Sequence, residues 1–216
     1  MRANRTNLPI VRRGQQEDLE SIAQLAIEAG GDVIEFLAGV FGDHASANDI
    51  YRSMLAEPNG IFSFSKCHVA TVNGTVIGFA NGFPTRLLRS ELPTGQLTER
   101  ELHLWSRTNL NDWDSYLLNN ISVKQSFRRS GVGSALIDGV AAEAASLQLR
   151  SITLHVWADN LPAIEFYKCI GFKQVARVDI PWNVDLPHEG GSLLFRRRLR
   201  RRGLRSCSGG DAGIER

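Results

Sequence analysis

Arg128-Arg129-Ser130-Gly131-Val132-Gly133-Ser134 lies between two runs of opposite character. Before it, Tyr116 to Val123 reads as a strand, with two Asn in its middle that are unusual for a buried one. After it, Ala135 to Leu149 reads as a helix with Leu136, Val140, Ala144 and Leu147 on one face. Gly131 and Gly133 let the backbone turn tightly and come close to a ligand. The first amides of a helix have no partner within it and carry the positive end of its dipole. A strand-to-helix turn of this kind therefore suits a phosphate-bearing group, with Arg128 and Arg129 as charge-assisted donors and Ser130, Val132 and Ser134 completing the cradle. By itself the loop also suits a Gly-rich turn with solvated arginines. No Gly-Lys-Ser/Thr follows, so it is not a nucleotide P-loop, and the third Gly of a dinucleotide fingerprint is missing.

Downstream, Ile152 to Trp157 reads as a strand and Asn160 to Lys168 as a short helix stopped by Gly171. Asn160 is a natural helix cap, and Pro162 is tolerated in the first turn. Tyr167 stands seven residues after Asn160, close to two turns, so both lie on one helix face. That face can offer a polar anchor and a phenol to one ligand. Taken singly, Asn160 also suits a pure cap and Tyr167 a packed core ring.

Working outward, Ile10-Val11-Arg12 is expected as a first strand and Gln16 to Ala29 as an amphipathic helix stopped by Gly30-Gly31. Helical stretches follow over Asp32 to Val40 and Ala47 to Ala56, the latter ended by Pro58-Asn59-Gly60. Ile61 to Val72 and Thr75 to Asn81 read as a hairpin on an Asn73-Gly74 turn of type I′. Pro84 to Asp112 reads as a long connection holding one helix near Leu97 to Trp105. Phe172 to Ile180 and Ser192 to Arg198 are expected as closing strands. The hairpin implies antiparallel pairing and the strand-helix-strand order implies a parallel pair. The fold class expected is α/β of the mixed α+β kind: a central, mostly antiparallel seven-stranded sheet with helices on both faces.

The two motifs together resemble the GNAT superfamily of N-acetyltransferases. Arg128-x-x-Gly131-x-Gly133 matches its pyrophosphate loop, and Asn160, Ala163, Tyr167 and Gly171-Phe172 match its second signature. Ile121, Ser122 and Val123 match the strand that hydrogen-bonds the pantetheine arm. The resemblance spans about residues 10 to 198 and implies the GNAT fold, with acetyl-CoA as co-substrate and no metal. It implies direct attack of a primary amine, from a small molecule or a protein, on the thioester in a ternary complex. A backbone amide near Val123 would serve the oxyanion and Tyr167 the departing thiolate. Many members carry a Glu as general base near the start of the central strand. Here Asp112 and Asp114 stand before it, and Asp114 is the leading candidate, although a solvated loop carboxylate is its plain alternative. Glu101 and His103 rank behind it. A non-catalytic acetyl-CoA-binding regulatory protein of the same fold is the alternative function.

The chain has 216 residues, which suits one domain over residues 1–199 with a basic tail over residues 200–216 expected to be disordered. From Arg196 onward there are eight Arg against one Asp and one Glu, so the formal net charge of +2 leaves the rest mildly acidic. The acidic body argues against a nucleic-acid partner and for a cationic acceptor amine. Cys67, Cys169 and Cys207 are few and widely spaced, which fits a reducing compartment, and the cytoplasm is expected. Arg2 and Arg5 have no apolar core behind them, so no secretory signal is expected. The apolar stretch Val132 to Leu149 contains Asp138 and Glu143, so no membrane partner is expected either. A homodimer is compatible with all of this.

Overall fold

The computed structural model describes residues 9–38, 46–92 and 95–199. The basic tail expected over residues 200–216, Cys207 with it, lies outside the described residues, as does the end of the helix expected to reach Val40. In chain order the elements are β1 (Ile10–Arg13), α1 (Leu19–Ala38), α2 (Ala47–Ala56), β2 (Cys67–Val72), β3 (Thr75–Pro84), α3 (Glu99–Asn109), β4 (Tyr116–Val123), α4 (Val132–Ser146), β5 (Ser151–Trp157), α5 (Leu161–Cys169), β6 (Lys173–Val178) and β7 (Ser192–Arg198). The strands form one seven-stranded sheet in the order β1-β2-β3-β4-β5-β7-β6. Every neighbouring pair is antiparallel except β4 and β5. The mixed, mostly antiparallel sheet expected from the sequence is the one observed.

Helices cover both faces, because alternate side chains of each strand point to opposite sides. On one face Leu136, Ile137 and Val140 of α4, with Ile164 and Tyr167 of α5, pack on Leu118, Ile152 and Leu154. On the other, Ile22, Leu25 and Ala26 of α1, with Tyr51 and Leu55 of α2, pack on Val69, Val76 and Phe79. A smaller cluster joins Phe36 of α1 and Leu104 of α3 to Trp157, Ile180 and Leu186. The two Asn of β4 fit this arrangement. Asn119 is exposed, and Asn120 donates to the Tyr51 hydroxyl at 2.9 Å on the α2 side.

Several boundaries differ from the sequence expectation, each for a local reason. The α4 helix starts at Val132 rather than Ala135, because Gly131 turns the chain directly into it. Its buried face is Val132, Leu136, Ile137, Val140 and Ala144, whereas Leu147 falls beyond the last turn and is exposed. The first hairpin strand begins only at Cys67. Ile61 to Lys66 instead forms turns and a short 3-10 helix capped by the Ser63 hydroxyl. The turn itself is as expected, with φ of 50° at Asn73 and 78° at Gly74. Gly30 kinks α1 rather than ending it. Thr85–Glu91 forms a further 3-10 helix in the connection after β3.

The feature that creates a site is the parting of β4 from β5. Their parallel pairing covers only Tyr116↔Ile152 and Leu117↔Thr153. Both strands then run on, to Val123 and Trp157, without pairing to each other. The separation starts beside a bulge. Asn81 pairs with Asn120 and Gly82 with Leu118, so Asn119 is the extra residue on β4. A bulge bends the strand that carries it, and here it leaves an opening between the C-terminal halves of the two central strands.

Candidate functional site

The mouth of this opening is formed by the loop that joins β4 to α4. Arg128 donates from Nε to the Val123 carbonyl at 3.0 Å, and Ser130 Oγ donates to the Phe127 carbonyl at 2.5 Å. These bonds hold the loop against the end of its own strand. Arg129 has φ of 61° and Gly131 φ of 87°. A Cβ at Gly131 would meet nothing within 4 Å, so the glycine is required by its backbone conformation and leaves open space beside it. The first backbone bond into the helix is Ala135 N to Gly131 O at 3.0 Å. The amides of Val132, Gly133 and Ser134 precede it and have no partner among the described residues. Three unpaired N–H groups, the positive end of a 15-residue helix and two exposed arginines thus surround one open point. Gly133 serves a different purpose. A Cβ there would lie 3.1 Å from Cζ of Phe166, so this glycine lets α5 lie close against α4.

The remaining predicted residues lie on β4 and on α5 with its cap. Ile121, Ser122 and Val123 pair on one side with Ala80, Phe79 and Gly78 of β3, and their other edge faces the opening. Asn160 caps α5, its Oδ1 accepting from Ala163 N at 3.2 Å, which leaves the side-chain nitrogen for another partner. Tyr167 lies two turns further along, its ring against Phe166 and Phe172 at 5.3 and 5.7 Å. Burial pushes its phenol well above the ordinary value, and its hydroxyl has no hydrogen-bond partner among the described residues. The loop, the strand edge and Tyr167 share one side-chain cluster through Val132, Ile121 and Val123, and the close approach of Phe166 to Gly133 brings α5, with Asn160 at its start, against the helix that follows the loop. They fit an elongated ligand with an anionic end at the helix and a neutral, hydrogen-bonding arm between the strands.

Asp114 stays outside this group. It is exposed and precedes Tyr116 and Leu117, the two residues that still pair with β5, so the joined part of the sheet separates it from the opening. Glu101 is committed to the N-terminus of α3, its carboxylate accepting from the amide and hydroxyl of Thr98 at 2.8 and 2.9 Å.

Groups outside the two sequence motifs, with His103 among them, gather on the face of β5 that looks toward α3. His155 is held far below the ordinary imidazole value, at about 3, by burial first and by the charge of Arg107 second. Its Nδ1 is buried without a partner among the described residues, as are His103 Nε2 and Asn111 Oδ1. Trp157 is stacked on His188 at 4.3 Å and covered by the Arg107 guanidinium at 5.2 Å. His188 Nδ1 lies 3.1 Å from the Asp159 carboxylate. No spacing could have announced this cluster, since it draws on α3, β5 and the connection between β6 and β7. Away from this cluster, Trp113 lies under the Arg89 guanidinium and Trp182 is exposed.

Comparison with known proteins adds a family to this geometry. Residues 32–172 match the family described as Acetyltransferase (GNAT) family. One solved structure, described as that of an acetyltransferase, is 22% identical, with 88% of this chain and 100% of that one covered and a TM-score of 0.62. The ribosomal-protein-S18-alanine N-acetyltransferase from Escherichia coli is 17% identical over 92% of this chain and 98% of its own, with a TM-score of 0.55. An N-acetyltransferase from Staphylococcus aureus Mu50 is 16% identical over 86% and 99%, with a TM-score of 0.61. At these identities the likeness to solved structures is one of fold. No curated protein matches the sequence.

Proposed function

The chain belongs to the acetyltransferase (GNAT) family, and from that premise we propose that it transfers the acetyl group of acetyl-CoA to a primary amine by direct attack in a ternary complex. The observation that carries this is the trio of unpaired amides of Val132, Gly133 and Ser134 at the mouth of the β4–β5 opening. These amides, with Arg128 and Arg129, would hold the diphosphate. The edge of Ile121 to Val123 and the Asn160 amide would hold the arm. The amine lone pair attacks the thioester carbonyl carbon, the carbon–sulfur bond breaks, and the sulfur leaves with the electron pair. An ordinary thiol has a pKa near 8.5, below that of a phenol near 10, and burial raises Tyr167 further. Tyr167 therefore keeps its proton and stabilises the departing sulfur as a hydrogen-bond donor. The amine must arrive neutral, and with Asp114 exposed at the far side of the strand junction its proton passes to water. A cytoplasmic setting suits this chemistry and the free thiols of Cys67 and Cys169.

Release of free thiol from acetyl-CoA, assayed across polyamines, lysine and peptides with a free N-terminus, tests the proposal. Amine-dependent release supports it. The exposure of Asp114 favours one competitor, an acetyl-CoA-binding protein that does not catalyse. That competitor requires binding without thiol release for every amine offered.

A further inference from the structure

At the opposite end of β5 from the opening, Arg150, Ser151, Arg196, Arg198 and Leu199 line an open surface pocket of about 420 Å³. Strand register builds it. Arg196 pairs with Thr153 and Arg198 with Ser151, so the two arginines, two residues apart, share one face of β7, about 7 Å from each other along the strand. The Leu199 amide donates to the Arg150 carbonyl at 2.8 Å, which brings the third arginine to the same corner. Arg197 points the other way, its guanidinium over Phe172 at 5.2 Å. No carboxylate lines the pocket. Arg196 touches Asp112 at 3.5 Å, whereas Arg150 and Arg198 form no ion pair among the described residues. In sequence the chain continues as Arg200-Arg201-Arg202. The mildly acidic average of the body thus hides a corner in which every cation is an arginine.

We propose that this corner binds the phosphodiester backbone of single-stranded RNA. Arginine presents a planar fork that matches phosphate oxygens and also stacks on bases, which a lysine patch does not do. Two arginines at strand spacing, with a third at the same corner, form a cationic row of the kind that tracks the backbone of a single strand. The corner lies apart from the β4–β5 opening, so the proposal stands or falls independently of acetyl transfer.

The test is fluorescence anisotropy of the full chain with a labelled 20-nucleotide oligouridylate between 50 and 200 mM salt. Each phosphate neutralised on a single strand contributes about −0.7 to the slope of log K against log salt. The Arg150→Glu/Arg198→Glu variant is expected to bind at least tenfold more weakly, with a slope shallower by about 1.4. Its melting temperature and thiol release should match the wild type, which shows that the fold is intact. Three results overturn the proposal: no binding by the wild type at 50 mM salt, binding unchanged in the double variant, or displacement of the RNA by polyglutamate at equal charge concentration. Loss of binding in Arg200→Gln/Arg201→Gln/Arg202→Gln, with the double variant unaffected, assigns any binding to the tail and also overturns it.

Discussion

Gly131 has φ of 87° with empty space where a side chain would stand. Gly131→Ala should therefore cost about 1 kcal/mol of stability, from backbone strain alone, in urea denaturation. Gly131→Glu should do more to the ligand than to the fold, because it sets a negative charge beside the amides proposed to hold the diphosphate. Tyr167→Phe removes one hydrogen bond to a group that gains charge only during reaction. Such bonds are worth about 1.5–3 kcal/mol, so kcat should fall roughly 10- to 100-fold while the Kd for acetyl-CoA stays within about threefold. Unchanged turnover in Tyr167→Phe would remove the phenol from the mechanism. Asp114→Asn should leave kcat nearly unaltered across the amine panel, and a collapse of turnover would restore Asp114 as the base. At this scale Gly131 and the Asn160 cap were legible, because a positive φ and a helix cap demand particular residue types. His155 was not, since its depressed basicity comes first from burial in the folded protein and then from Arg107, 48 positions away in sequence.

At the scale of elements, the cap of α5 and its contact with α4 position the phenol. Asn160→Ala removes the bond to Ala163 N, which should cost about 1 kcal/mol of stability and loosen the first turn of the helix that carries Tyr167. A matching fall in acetyl-CoA affinity would show that Asn160 also meets the ligand, whereas unchanged affinity would make it a cap alone. Element order was readable from periodicity and turn chemistry, and α2, β4 and β7 fall where the sequence put them. The failures have a common origin. Ile61 to Lys66 looks like a strand by composition, yet Ser63 caps a 3-10 turn there. A short apolar run does not by itself distinguish a strand from a buried turn. The start of α4 depended on the conformation of Gly131, which composition does not specify.

For the whole molecule, the parting of β4 and β5 matters most, and it could not be read from one strand. It follows from a two-against-one register between β3 and β4 at Asn119, a property of the pair rather than of either sequence. Burial has a second global consequence. The folded protein keeps His155 unprotonated down to about pH 3, whereas an unfolded chain accepts that proton near 6.5. Stability from this group is complete above about pH 6.5 and is lost as pH falls toward 3, by about 1.4 kcal/mol per pH unit. His68 is shifted in the same direction by burial. Between pH 7 and pH 5 the wild type should lose about 2 kcal/mol more than His155→Gln in urea denaturation. Equal losses would mean that His155 is solvated.

The most direct test of the acetyl-CoA site is calorimetric titration of acetyl-CoA into the wild type and Gly131→Glu, both checked for a cooperative melt. Saturable one-to-one binding by the wild type, reduced at least a hundredfold in the folded variant, is expected if the amides at the start of α4 hold the diphosphate. Equal affinity in the two proteins, or no binding by either, would contradict the assignment of the β4–β5 opening as the acetyl-CoA site.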